Sequence, residues 1–433
     1  MGSESTLMAN AQFHKRTSCI ACQSPLPADV VIIGEQFPSA VYPEAGSSYE
    51  EFISRSSLNV TQCRNAECAL VQLSHGYKLD YVFEHYPYVS GSTATMKQIL
   101  QDLVADAESK VELTDRDVVL DIGGNDGTLL SNITKPVARR VNIDAAHGIG
   151  SVVTAPDYVK ILGLYSSQKY LDLDLPPPKL IFSVAMFYHL SEPLEFCRQV
   201  RQVMSADTVW ALQMTYLGSM LDANIYDNIV HEHVAYYSLK SLEYVLAQAG
   251  LSVFDAKVVE SYGGSLRVFI TTSESARPKT ESYRRLTQQE EDSKLASPES
   301  LVRFNERTQM LRSVSRNWID HVVANHGPIY ALGASTKGNM ICQFLGLTRA
   351  HIKGVLDNTD KKIGSMLVGS EIPILDEREH LGSLSDYVLI LPYYYLGFFK
   401  KLVAKQLAPG QKRHLIVPLP TVRIETVVGE GAA

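Results

Sequence analysis

The residues best suited to chemistry in this 433-residue chain begin with His231-Glu232-His233, which sit among apolar and aromatic neighbours in IYDNIVHEHVAYYSL. Polar groups in such surroundings are costly unless they are paired or used. A His beside a Glu suits proton abstraction, with the carboxylate orienting the imidazole and stabilising its charged form. The spacing is not the His-Glu-x-x-His of a zinc protease, and a surface turn without a role would read the same way. A second cluster is Cys19 and Cys22, spaced Cys-x2-Cys, with Cys63 and Cys68, spaced Cys-x4-Cys. Two such pairs can place four thiolates at the corners of a tetrahedron, which makes a closed structural zinc site. The alternatives are buried free thiols or a redox pair, although no βαβ pattern surrounds the first pair. The stretch between the pairs is Pro-rich and polar, with little apolar material for a core, so a metal would supply the missing folding energy.

A third signal is VVLDIGGNDGTLL, residues 118–130. Val118 to Asp121 read as a buried parallel strand. Gly123, Gly124 and Gly127 make a tight turn, and Thr128 opens a helix. So few side chains let a ligand lie against backbone N–H groups at a helix start. The loop lacks the Gly-Lys-Ser/Thr of a P-loop and the full Gly-x-Gly-x-x-Gly of dinucleotide binders. Asp144 ends the next strand about 20 residues on, where an acid conventionally holds ribose hydroxyls. Strand, turn, helix, strand and acid together describe a site for S-adenosylmethionine (SAM), and an ordinary βα turn is the alternative.

The elements that must position these residues follow in order. Residues 1–85 form the cysteine-bearing module. Tyr81, Phe83, Tyr86 and Tyr88 cluster at its end, either as hydroxyl donors over a ligand or as an aromatic plug between domains. Residues 86–275 continue as α/β structure: LIFSVAMF and TVWALQM are strands, and His189 follows the first of them at a strand end, where ligands sit. A capping role would place His189 there equally well. Ser238 caps a helix carrying Leu239, Leu242, Val245 and Leu246, and two β-like runs flank Gly263-Gly264. Residues 276–325 are charged, with apolar positions at helical spacing, and predict one or two connecting helices. Residues 326–433 repeat the α/β opening in PIYALGASTKGN. There Ser335, Thr336, Lys337 and Asn339 surround a helix start that would suit a phosphate, or a turn that serves packing alone. IKGVLDN, DYVLILP and RHLIVPLP supply further strands. Two nucleotide-type folds flanking a catalytic-looking segment imply two ligands meeting in a cleft.

Composition narrows the setting. Apolar residues at 45% and charged residues at 20% are ordinary for a soluble globular protein. A net charge of −7 leaves no footprint for nucleic acid or an acidic membrane surface. No apolar run spans a bilayer, and the N-terminus has no apolar signal core, so a cytoplasmic location with reduced thiols is expected.

Taken together, these stretches resemble the sugar C-methyltransferases that act on nucleotide-linked 4-keto-deoxysugars. CIAC…CRNAEC resembles the zinc-binding N-terminus of that family, YPYVSGSTATM its Tyr-x-Tyr-x-Ser segment, VLDIGGNDGTLL its SAM loop and VHEHVAYYSL its Glu-His segment. YGGSLRV and YALGASTKGN resemble its later motifs. The resemblance implies an α/β chain with a SAM-binding Rossmann-like domain, a small zinc module and a second C-terminal Rossmann-like domain that completes the substrate cleft. By position it implies His233 as general base, Glu232 as its neighbour, and His189 with Tyr86 near the keto group. Asp121, Gly123, Asn125, Asp126, Asp144 and Tyr88 would hold SAM, Ser335, Thr336, Lys337 and Asn339 the substrate, and Cys19, Cys22, Cys63 and Cys68 zinc. The implied reaction adds a methyl group next to the ketone, at C3 rather than C5, in branched deoxysugar and antibiotic biosynthesis. An O- or N-methyltransferase on a sugar or another small natural product is the alternative. The chain departs from the family pattern at the x4 spacing of the second cysteine pair, at Val230, Gln213 and Tyr262, and at LPYYY in place of Leu-Pro-Trp. Apart from the cysteine spacing, these departures fall on the substrate side.

Overall fold

The computed structural model describes residues 13–51, 53–76, 89–261 and 263–429. In the N-terminal part, strands β1 (Val60–Gln62) and β2 (Val71–Leu73) pair antiparallel. The stretch between the cysteine pairs carries more core than its composition suggests: Val31, Ile33, Leu58 and Val60 are buried there. They join one apolar cluster that runs into both sheets described below.

After helix α1 (Ala94–Glu108) comes β3 (Val118–Ile122), buried at every position as a central parallel strand must be. A short helix α2 (Thr128–Ser131) follows, then β4 (Arg139–Asp144), β5 (Tyr158–Leu162) and β6 (Leu180–Val184). Next come α3 (Pro193–Val203), β7 (Val209–Thr215), the two-residue β8 (Ala235–Tyr236), α4 (Leu239–Gln248), β9 (Leu251–Val259) and β10 (Ser265–Thr272). Seven of these strands form one sheet in the order β9-β10-β7-β6-β3-β4-β5. Strands β3 to β7 are parallel, and β10 joins β7 antiparallel with β9 beside it. This is the Rossmann-like methyltransferase sheet that the resemblance implies.

The predicted helical connection is two helices, α5 (Glu281–Asp292) and α6 (Pro298–His326). A second sheet follows: β11 (Ile329–Leu332), α7 (Thr336–Leu345), β12 (Ile352–Asp357), β13 (Ile374–Asp376), β14 (Tyr387–Ile390), α8 (Leu396–Ala404), β15 (Lys412–Val417) and β16 (Arg423–Val428). Its order is β13-β12-β11-β14-β15-β16, parallel except for β16. It is a second Rossmann-like sheet.

The N-terminal part ties the two sheets together. Strand β8, which begins two residues after His233, leaves the large sheet and pairs antiparallel with β2. On the other side, the Gln343 carboxamide bonds both the N–H and the carbonyl of Phe37, and Tyr49 packs with Met366 and Val368. Among the described residues, no helix is long and apolar enough to cross a membrane.

Candidate functional site

The first Gly-rich turn is built to stay open. Gly123 takes φ +76°, a left-handed conformation that a side chain would strain. Its N–H donates to Ile143 O at 2.8 Å, which docks the turn onto β4. Asp144 at the end of β4 accepts from Asn125 N–H (2.8 Å) and from Ala146 N–H (2.7 Å), one on each oxygen. Each oxygen keeps a second lone pair for a hydroxyl. Gly123, Asn125 and Asp144 all line a cavity of about 920 Å³. Bare backbone at a helix start and an acid with acceptors to spare fit the adenosine part of SAM.

Two residues expected at the cofactor do other work. Asp121 lies under the turn and not on the cavity: a Cβ on Gly124 would come within 2.6 Å of its Oδ2. Burial, with Asp144 and Asp126 nearby, pushes the Asp121 carboxyl well above the usual carboxylate range. Asp126 caps α2 through Thr128 N–H (3.0 Å) and accepts from Gly91 N–H (2.9 Å). With Asn125 Oδ1, which accepts from Ser90 N–H (2.9 Å), it pins residues 90–91 across the turn. Asp126 is therefore a structural clamp.

His233 opens onto the same cavity as Gly123 and Asp144. The chain reaches it through a 3₁₀ turn at Tyr226–Asn228, wedged between the sheets, where Tyr226 packs on Phe344 of α7 at 5.0 Å. The His233 Nδ1–H donates to Asn228 O at 2.7 Å. A carbonyl only accepts, so the ring proton is on Nδ1 and Nε2 carries the lone pair. Tyr188 packs against the ring, centroid to centroid 4.6 Å. Burial, then the nearby His189 and Lys337, push its protonation well below the ordinary histidine range, so the ring is a free base at neutral pH.

The orienting group for His233 is thus a main-chain carbonyl and not the expected carboxylate of Glu232. Glu232 is buried and lines the cavity, with burial pushing its carboxyl up to about 7. Its Oε2 meets no hydrogen-bond partner among the described residues. His189 also lines the cavity, yet Nδ1 faces Glu232 O at 2.6 Å and Nε2 faces Ala185 O at 3.1 Å. Burial holds its pKa down to about 4, so the neutral ring has one N–H and donates to only one of these carbonyls, tying its own segment to the chain there. Donating to a ketone would cost the ring its one donated hydrogen bond. His231 is buried and does not line the cavity, and Tyr86 and Tyr88 lie outside the described residues.

From the second sheet, Thr336 and Lys337 reach the cavity, whereas Ser335 and Asn339 do not line it. Ser335 caps α7 by accepting from Gly338 N–H (3.0 Å), and Asn339 is fully buried, donating to Ser39 O at 3.0 Å. Both are structural. Lys337 Nζ lies 3.3 Å from Tyr394 Oη. Behind it stands an arrangement not singled out from the sequence. Tyr393 and Tyr394 hydroxyls are 2.5 Å apart, and both face the carboxylate of Asp227 at 3.1 to 3.3 Å. The LPYYY departure was the available signal, and the fully buried Asp227 of IYDNIV is its counterpart. Gln213, a cavity residue, accepts from Arg267 Nε at 2.8 Å, while Asp102 and Asp106 hold the other guanidinium nitrogens.

The four cysteine sulfurs lie within 4.8 Å of one another, with Cys19–Cys68 at 3.8 Å and Cys22–Cys63 at 3.4 Å. With Zn–S near 2.3 Å, a tetrahedron has edges of about 3.8 Å. The set is close to the size that a four-coordinate metal requires. A turn in which Cys68 N–H donates to Asn65 O takes up the longer second spacing.

A family described as "C-methyltransferase C-terminal domain" matches residues 260–420, and one described as "Methyltransferase domain" matches residues 92–256. The chain is similar to the C-methyltransferase NovU of Streptomyces niveus, 28% identical over 375 residues, covering 85% of this chain and 87% of that protein. Among solved structures, the N-methyltransferase NodS from Bradyrhizobium japonicum aligns at 12% identity, covering 42% of this chain and 99% of that chain with a TM-score of 0.33. The mitomycin 7-O-methyltransferase MmcR aligns at 14% identity, covering 40% and 54%, with a TM-score of 0.31.

Proposed function

We propose that this chain, a SAM-dependent C-methyltransferase, takes a nucleotide-linked 4-keto-deoxysugar as acceptor and methylates the carbon beside the keto group, C3 rather than C5. The observation that carries the reading is that the neutral Nε2 side of His233 and the open Gly123 turn share one cavity, at the seam of two nucleotide-type sheets.

Carbon is a poor nucleophile until a carbanion forms beside a carbonyl. His233 Nε2 takes the proton from that carbon, the C–H pair becomes the C=C bond and the carbonyl π pair moves onto oxygen. The C=C pair would then form the new bond to the methyl group that SAM supplies, the enolate oxygen pair would restore the C=O, and the proton on His233 returns to solvent. SAM supplies the methyl as an electrophile. Asp144 would hold its ribose hydroxyls, with Gly123 and Asn125 against the rest, so that the chain contributes alignment above all. Tyr86 and Tyr88 are the expected donors near the ketone and the cofactor. Four cysteine thiolates would hold one structural zinc. Zinc analysis should give one ion per chain, and Cys22→Ser should lose both the ion and folded protein.

The test is incubation with SAM and a panel of nucleoside-diphosphate 4-ketosugars, read by mass and NMR for a new C–CH3. His233→Ala should lower turnover between about 100- and 10,000-fold while SAM binding by calorimetry is unchanged. Because its proton affinity is already lowered, kcat/KM should hold as pH falls through 6.5 and drop only below it. An O–CH3 product, or normal turnover by His233→Ala, sinks the reading.

A further inference from the structure

This inference rests on the function proposed above and concerns which group receives the negative charge. Enolisation moves a full charge onto one oxygen. His189, as a neutral ring, has a single N–H, and a main-chain carbonyl faces each of its nitrogens. Lys337 is differently placed. Its ammonium has three N–H donors. One meets Tyr394 Oη, and among the described residues no acceptor meets the other two. It lines the cavity with His233, closely enough for its charge to be felt at that ring.

Burial lowers the proton affinity of Lys337, and the nearby Asp227 opposes that shift without saturating the ammonium. A carboxylate in direct contact would quench the ammonium, but Asp227 stands one hydroxyl away. Tyr394 donates to Asp227 Oδ2 at 3.2 Å and accepts from Lys337, and the Tyr393 hydroxyl supports the pair. Nζ also lies 4.7 Å from the centre of the Tyr394 ring, whose face favours a cation. The same 3₁₀ turn holds both halves of the device: Asp227 anchors the tyrosines, and Asn228 O orients His233. Base and cation are thereby set by adjacent residues. A phosphate at this helix start would find Gly338 N–H already taken by Ser335 and Ala334 N–H by Asp357.

We propose that Lys337 binds the ketone oxygen on which charge develops as His233 Nε2 removes the neighbouring proton, and that Asp227 with Tyr393 and Tyr394 positions it. The second Rossmann-like sheet would then contribute to the chemistry as well as to substrate holding.

Solvent-deuterium exchange separates this step from methyl transfer. A thymidine-diphosphate 4-keto-6-deoxyhexose is incubated with the enzyme in D2O without SAM, and exchange beside the ketone is followed by NMR. Lys337→Met should lower the exchange rate by about 100-fold or more, with KM little changed and SAM affinity intact. Tyr394→Phe keeps the ring and removes only the bridge. It should lower exchange about tenfold, the scale of one hydrogen bond. Wild-type exchange by Lys337→Met, with a raised KM and weaker binding of free thymidine diphosphate, would make Lys337 a phosphate ligand and overturn the proposal. Absence of exchange by wild-type enzyme that still methylates the sugar would instead overturn the enolate reading.

Discussion

The two Gly-rich turns, at Gly123 and at Gly333, are built on one plan and put to different use. In each, the turn glycine donates to the carbonyl of the next strand at 2.8 Å, Gly123 to Ile143 O and Gly333 to Leu356 O. In each, an acid at the end of that strand bridges the turn and its own loop. Asp144 accepts from Asn125 and Ala146 N–H, and Asp357 from Ala334 and Thr359 N–H, all at 2.7 to 2.8 Å. What fills the space above them differs. The first turn faces the large cavity. The second is plugged by the chain itself: Pro392 and Phe399 lie over Gly333, and Lys362 Nζ donates to Ala334 O at 2.7 Å. A nucleotide-type turn is thus retained as scaffold. With its ligand face closed, the helix behind it is free to present Lys337 to the seam.

The largest expected effect in this comparison comes from closing each turn by a single methyl. An alanine at Gly333 would hold φ +82° and put its Cβ 2.4 Å from Pro392 Cγ, a rigid ring whose neighbours are Tyr393 and Tyr394. Left-handed strain and overpacking together should cost about 3 kcal/mol of stability. Turnover should fall with it through the displaced tyrosines, and SAM affinity should not. Gly123→Ala meets only Met186 Cγ at 3.3 Å, the middle of a flexible side chain. It should cost about 1 kcal/mol of stability and act on SAM affinity. Thermal melts and SAM calorimetry on the pair decide the matter. If both variants weaken SAM equally, the second turn is not closed as described.

What was legible in the sequence was whatever is local along the chain. The Gly-rich turn with its acid about 20 residues later is such a pattern, and so are the cysteine pairs. His233 was visible because a charged cluster interrupts an apolar run. The errors concern direction. Strand side chains alternate between faces, and composition does not say that Asp121 points beneath the turn or that Asp126 turns away to clamp Gly91. Nor does adjacency in sequence make Glu232 the partner of His233, since the turn brings the Asn228 carbonyl to Nδ1 first. The Asp227–Tyr393 contact spans 166 positions and exists only because two sheets pack across a 3₁₀ turn. No local pattern could announce it, although the odd LPYYY marked one half of it.

The acids at the ends of β4 and β12 give a smaller and sharper test. Both carboxylates accept two backbone N–H groups, so removing either releases the same local structure, and any difference between the variants must come from a ligand. Asp357→Ala should cost about 2 kcal/mol of stability, the scale of hydrogen bonds to a charged group, and leave SAM binding unchanged. Asp144→Ala should lose a similar stability and, in addition, weaken SAM about 30-fold, because the same oxygens would have met the ribose. A 2′-deoxyribose analogue of S-adenosylhomocysteine isolates the second part: it should bind wild type more weakly than the parent compound and bind Asp144→Ala no more weakly. If the analogue discriminates equally in both proteins, Asp144 shapes the turn without touching the cofactor, and the two turns differ less than their exposure to the cavity implies.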